Sequence, residues 1–154
     1  MAKSITLLGS TGSIGTQSLD VARSQGYEVR ALAANSSVDK LLEQIEEFHP
    51  RYVAVADPAA CQKLKGALAG RANAPKVLEG AEGIVALAGM GEADVVLNAV
   101  VGIAGLGATL AALESGSDVA LANKETLVAG GGLVTRRVAE MSGRGVRLLP
   151  VDSE

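Results

Sequence analysis

The run Ile5-Thr6-Leu7-Leu8-Gly9-Ser10-Thr11-Gly12-Ser13-Ile14-Gly15 decides the reading of this 154-residue chain. An apolar, strand-length segment passes directly into three glycines spaced three apart, and an amphipathic helical pattern follows at once. Gly9 can close a tight turn, Gly12 can let the main chain approach a bound phosphate, and Gly15 can let the helix pack closely on the strand. A helix that begins near Ser13 adds a positive dipole end beneath an anion. The pattern is G-x-x-G-x-x-G, with Ser10 where the usual fingerprint has glycine. Such a turn can also join a strand to a helix and bind nothing. The apolar strand before it, the helix after it and a second strand over 27–33 together point to a dinucleotide site.

Outward from this turn the chain alternates regularly. Strands are expected at 4–8, 28–33, 52–56, 76–78, 95–99, 118–121 and 146–150. Helices are expected between them, at 14–24, 38–48, 58–68, 81–88, 106–115 and 125–141, with 66–74 read as a surface loop. Strands alternating with helices of this length imply right-handed crossovers and an α/β, doubly wound, largely parallel sheet of the Rossmann-like kind. Composition agrees: hydrophobic residues make up 48% and aromatics only 2%, with no tryptophan. A core of Ala, Val, Leu and Ile suits a parallel sheet covered on both faces. One domain of this length buries roughly 70% of its unfolded surface.

The net charge of −3 and the lack of a basic stretch argue against a nucleic-acid partner. Apolar runs are too short to span a membrane. The segment 5–8 is strand-length and has no cleavage pattern, so no secretory leader is expected. The single cysteine, Cys61, falls in a helical stretch as a small packing residue, consistent with a reducing cytoplasm. The lone His49 precedes Pro50 at a helix end, where no metal set can be built around it.

In a doubly wound sheet, ligands collect beyond the carboxyl ends of the strands, and the polar residues of this chain fall at those ends. After the second strand come Asn35, Ser36 and Ser37, with no acid until Asp39. An acid there would bind a ribose 2′-hydroxyl and repel a 2′-phosphate, so its absence permits NADP. One of the two serines is also expected to cap the helix at 38–48 through its side chain. Asn123, Lys124 and Glu125 lie between a strand and a helix. Lys124 can meet an anion, Asn123 can hold an amide or hydroxyl, and the tetrapeptide from Ala122 can equally be a plain helix start. At the end, Asp152 and Glu154 are two apart, so in extended chain both carboxylates can face one hard cation. A solvated acidic turn is the plainer reading of that pair. A chain that stops on it is expected to be a fragment of something longer.

Taken together, Gly9–Gly15, Val101-Gly102-Ile103-Ala104-Gly105-Leu106, Leu121-Ala122-Asn123-Lys124-Glu125 and Leu148-Leu149-Pro150-Val151-Asp152-Ser153-Glu154 resemble the 1-deoxy-D-xylulose 5-phosphate reductoisomerase family in order and spacing. The resemblance covers the whole chain as an NADPH-binding domain, 1–154, without the catalytic and C-terminal domains. It implies a rearrangement of a metal-bound ketose phosphate followed by hydride delivery from NADPH, giving 2-C-methyl-D-erythritol 4-phosphate in non-mevalonate isoprenoid biosynthesis. It further implies that Thr11, Gly12, Ser13 and Ile14 hold the cofactor diphosphate. Asn35, Ser36 and Ser37 would surround the ribose phosphate, and Asn123 and Glu125 would sit on the nicotinamide side. Lys124 would contact substrate, Ser153 a substrate oxygen, and Asp152 and Glu154 a divalent metal (Mg²⁺, Mn²⁺ or Co²⁺), with Lys124 and Glu154 the catalytic pair. Many members carry a basic residue and an asparagine where this chain has Ser36 and Ser37, which implies reduced NADPH selectivity. A homodimeric, cytoplasmic full-length enzyme is implied, and this chain alone would not turn over. Two other readings stay open. One is a stand-alone dinucleotide-sensing module. The other is an NADP-dependent semialdehyde dehydrogenase, whose catalytic cysteine Cys61 is badly placed to supply.

Overall fold

Among the described residues, the chain runs β1 (Ser4–Leu8), α1 (Ser13–Gln25), β2 (Glu28–Ala34), α2 (Val38–Phe48), β3 (Tyr52–Val55), α3 (Pro58–Leu68), β4 (Lys76–Glu79), α4 (Gly80–Ala88), β5 (Val95–Asn98), α5 (Ile103–Ser115), β6 (Asp118–Leu121) and β7 (Leu148–Pro150). The computed structural model describes residues 3–100, 103–122 and 145–150, and positions 132, 135, 136, 138–141 and 143. The seven strands are all parallel, in the order β4-β3-β2-β1-β5-β6-β7. The chain therefore works outward from β1 to β4, then crosses back to the other side of β1 with β5. The gap between β1 and β5 is the topological switch point, where such sheets open a crevice at their carboxyl edge.

Strand alternation builds two cores, one on each face. Leu7, Leu32, Val53, Val55 and Leu97 face a cluster completed by α1, α2 and α3 through Leu19, Leu41, Ile45 and Leu64. Their neighbours Leu8, Ala31, Ala33, Ala54 and Val96 face a second cluster completed by α4 and α5 through Ile84, Leu87, Ala108 and Leu113. The period of two along each strand sends successive side chains to opposite layers. The buried side chains of both layers are almost all aliphatic, as the composition required, with Tyr27, Phe48 and Tyr52 only partly buried against them.

The expected elements are present, with shifted ends. β2 runs one residue longer, whereas β3 and β5 stop one residue short of 56 and 99. β7 begins at Leu148 rather than 146. α5 starts at Ile103, three residues early. The loop expected at 66–74 begins only after α3 ends at Leu68. The described positions 132, 135, 136 and 138–141 are helical, in agreement with the helix expected at 125–141, and the rest of that span lies outside the described residues. His49 ends α2 in a left-handed conformation (φ 51°), its N–H donating to Ile45 O, so its role is local. Cys61 is fully buried and burial pushes its thiol up, which removes it as a nucleophile.

Candidate functional site

The turn after β1 is shaped by what its glycines lack. Gly9 takes φ +87°, a left-handed conformation, and its N–H and that of Ser10 both donate to Ala33 O, at 2.8 and 2.9 Å. A Cβ at Gly15 would stand 2.1 Å from Gly9 O and 2.7 Å from two Ser10 backbone atoms, so α1 sits against its own entry turn only because Gly15 is bare. A Cβ at Gly12 would meet nothing nearer than Gly9 O at 3.7 Å. Gly12 is exposed, caps α1 without any side chain and lines a cavity, so the space its missing side chain leaves opens into that cavity.

That cavity, about 400 Å³, opens at the switch point. Its walls are Gly9, Thr11 and Gly12 from the turn, Ala34 and Asn35 at the end of β2, Ala56 past β3, Ile84 of α4, and Ala99 and Val100 past β5. A larger recess of about 620 Å³ lies at the opposite edge, among Lys3, Glu28, Arg30, Glu92 and Asp94. Its lining mixes cations and carboxylates, and it is remote from the carboxyl ends of the strands. Position favours the first cavity.

Of the residues singled out in the sequence, Thr11, Gly12 and Asn35 line the cavity. Ser13 and Ile14 open α1 beside it. Ser36 and Ser37 are exposed and follow Asn35 at the same edge. The side-chain cap expected from one of these serines is not formed. Ser37 occupies the N-cap position, but its ψ of 77° is not the extended value that brings a hydroxyl back to the helix N–H groups. The backbone does the work instead, Val38 N–H donating to Ser36 O at 2.9 Å and Leu41 N–H to Ser37 O at 3.1 Å. Among the described residues neither hydroxyl has a hydrogen-bond partner, and both side chains are exposed. Lys63, on α3, is held by Asp39 at 3.7 Å. Asn123, Lys124, Glu125, Asp152, Ser153 and Glu154 lie outside the described residues, although β6 and β7, which lead to them, run side by side and parallel. Among the described residues no three His, Cys, Asp or Glu side chains are grouped to hold a metal. No described helix is long and apolar enough to cross a membrane.

Two buried amides were not foreseen. Gln44 of α2 donates from Nε2 to Ser10 O at 2.8 Å, reaching the glycine turn from the neighbouring helix. Asn98, fully buried at the end of β5, makes three hydrogen bonds around the start of α5. A single amide within an apolar run carries no periodic signal, so neither stands out in the sequence.

The sequence model of the 1-deoxy-D-xylulose 5-phosphate reductoisomerase family matches residues 5–131. The reductoisomerase of Thermosynechococcus vestitus is 46% identical over 156 residues, covering 100% of this chain and 37% of that protein. That of Chlorobaculum tepidum is 48% identical over 154 residues, 99% of this chain and 39% of that protein. The solved reductoisomerase of Zymomonas mobilis in complex with NADPH superposes with a TM-score of 0.89 at 43% identity, over 100% of this chain and 40% of that one. A reductoisomerase solved with magnesium gives 0.91 at 38% identity, over 100% of this chain and 38% of that one. The chain thus spans about two fifths of the length of these relatives. A Staphylococcus aureus homoserine dehydrogenase, 18% identical with a TM-score of 0.54, shares the fold alone.

Proposed function

Because the chain belongs to the 1-deoxy-D-xylulose 5-phosphate reductoisomerase family, we propose that it is the NADPH-binding domain, 1–154, of an enzyme converting 1-deoxy-D-xylulose 5-phosphate and NADPH to 2-C-methyl-D-erythritol 4-phosphate and NADP⁺. The observation that carries this reading is the cavity at the switch point, floored by a turn whose bare Gly12 leaves room for a diphosphate. Thr11, Gly12, Ser13 and Ile14 hold that diphosphate against the N-terminus of α1. Asn35, Ser36 and Ser37, exposed at the end of β2, meet the ribose 2′-phosphate. Asn123 and Glu125 serve the nicotinamide side, Lys124 and Ser153 orient substrate oxygens, and Asp152 and Glu154 hold the divalent cation, with Lys124 and Glu154 closest to the chemistry. When bound, NADPH supplies the hydride and Mg²⁺, Mn²⁺ or Co²⁺ polarises the carbonyl as a Lewis acid. The fitness of this chain for the cofactor rests on the glycine cradle. Its fitness for the metal rests on the donor chemistry of two carboxylates, which suits a hard cation and leaves further ligands to other parts of the enzyme.

The complete enzyme on this reading is a cytoplasmic homodimer, and the one cysteine of this chain, Cys61, is buried as suits a reducing compartment. This chain alone binds cofactor and does not turn over. Calorimetric titration with NADPH and with NADH tests the reading. Binding of NADPH about tenfold tighter than NADH, a difference of about 1.4 kcal/mol, is expected where serines and an asparagine replace a cationic partner. Failure to bind either nucleotide overturns it.

A further inference from the structure

Asn98 is the last residue of β5 and is fully buried between apolar strands. Its partners Leu8 and Leu121, in register on either side, are both leucines. Burying an amide there is costly unless its donors and acceptor are met, and they are met in one particular way. Nδ2 donates to Gly105 O and to Thr109 Oγ1, both at 2.8 Å, and Oδ1 accepts from Val100 N–H at 3.0 Å. One side chain thus ties together the end of a strand, the start of the segment that follows and the first turns of α5. That segment begins with Ala99 and Val100, which form the cavity wall on the β5 side. Ala99 also abuts the glycine turn, its carbonyl oxygen 3.1 Å from where a Cβ on Gly9 would lie.

We infer that Asn98 is a positioning residue for the nicotinamide half of the cofactor, holding Ala99 and Val100 where that half must lie. The inference rests on the NADPH reading above. In a doubly wound sheet the two mononucleotide halves lie on opposite sides of the switch point. Asn35 and the serines stand with β2 on one side, and Asn98 stands with β5 on the other. Losing the Asn98 amide should therefore disturb one half of the ligand and spare the other. A role confined to stability has no reason to divide the ligand in this way.

The test compares two ligands, NADPH and adenosine 2′,5′-bisphosphate, which carries the adenosine half with its 2′-phosphate. Asn98→Ala is expected to raise the Kd for NADPH about tenfold, the effect of leaving buried groups unpaired at a binding wall. The same variant should leave the Kd for the bisphosphate within about twofold, as for distant, independent sites. Thr109→Val removes one of the three bonds with little change in shape, and is expected to give the same split at about threefold. It decides the matter if Asn98→Ala does not fold. Ser117→Ala serves as the control: it removes a buried bond to Ala93 O, 2.9 Å long, at the far edge of the sheet, and should move neither Kd. Folded variants whose NADPH affinity is unchanged, or whose two affinities fall in parallel, overturn the inference. A parent chain that binds neither ligand overturns the inference and the NADPH reading together, whereas a parent that binds both leaves the variants to decide the inference alone.

Discussion

The two turns that face each other across the switch point are built by opposite means. The one after β1 owes its shape to absent side chains: Gly9 reaches φ +87°, and Gly15 lets a helix lie where a Cβ would be 2.1 Å from a carbonyl oxygen. The one after β5 owes its shape to a side chain that is present, the buried amide of Asn98. The first is a backbone conformation and fails where a side chain is added. The second is a set of hydrogen bonds and fails where a side chain is taken away. The contrast predicts which substitutions should harm folding and which should harm binding.

Gly15→Ala should have the largest effect. The neighbouring atoms are all backbone, so nothing flexible can move aside, and overpacking of this kind costs about 3 kcal/mol or more. That exceeds the gain of about 1 kcal/mol that alanine has over glycine within a helix. Gly12→Ala is its counterpart, because a methyl there meets only ordinary contacts within the protein. The fold should survive while NADPH affinity drops at least about tenfold, as the methyl takes the place of a phosphate. Denaturant unfolding beside nucleotide titration separates the two, and equal behaviour of the two variants would break the division of labour drawn between these glycines.

Gln44 sharpens the same comparison from the other direction. It holds the glycine turn through one bond to Ser10 O, yet the turn is already defined by its glycines. Gln44→Leu should therefore cost about 1–2 kcal/mol of stability, a buried carbonyl losing its donor. NADPH affinity should stay within about threefold of the parent, a change of under 1 kcal/mol. A loss of affinity comparable to that of Asn98→Ala would mean that both turns depend on side-chain bonds.

What could be read from the sequence follows the same line. Glycine is legible because its use is conformational, and three at fixed spacing between a strand and a helix admit few structures. Alternation of apolar runs was legible too, and the sheet forms as it required. Ser37 was misread in part: it stands at the N-cap, but its ψ of 77° keeps the hydroxyl from the helix. Dihedral angles of that kind depend on how β2 hands the chain to α2, which residue type alone does not set. Asn98 and Gln44 passed unnoticed because their meaning lies in partners brought close by folding, 11 residues away for Thr109 and 34 for Ser10.

Freed from capping, the serines offer the next effect in size. Ser36→Arg places a guanidinium at an exposed position beside Asn35, where it can pair with a 2′-phosphate in a bidentate manner. The preference for NADPH over NADH should widen by about tenfold, or 1.4 kcal/mol, with little change in the affinity for NADH. A gain shared by both nucleotides would place the new charge at the diphosphate instead.

The smallest effect belongs to the far edge of the sheet, where no ligand is expected and a carboxylate does structural work. Ser4 N–H and Oγ both donate to Asp94 Oδ2, at 2.9 and 3.0 Å, and Asp94 N–H donates back to Ser4 Oγ at 3.0 Å. These bonds, the backbone one foremost, hold the Asp94 carboxyl below its ordinary value of 3.8, aided by Lys3 and Arg30 nearby. A depressed carboxylate stabilises the fold fully above its unfolded pKa, and that contribution fades as pH falls below it towards the folded value. Asp94→Asn should thus be less stable than the parent at pH 7, with the gap narrowing as pH drops through the range below 4. Denaturant midpoints at pH 7 and pH 3 measure it. Ser4→Ala, which keeps the backbone donor, should retain part of the pH dependence that Asp94→Asn abolishes. A gap that stays constant with pH would show that the carboxylate charge plays no part in joining β1 to β5 at this edge. The tie would then rest on neutral hydrogen bonds alone, as the tie made by Asn98 does at the other end of the same strand.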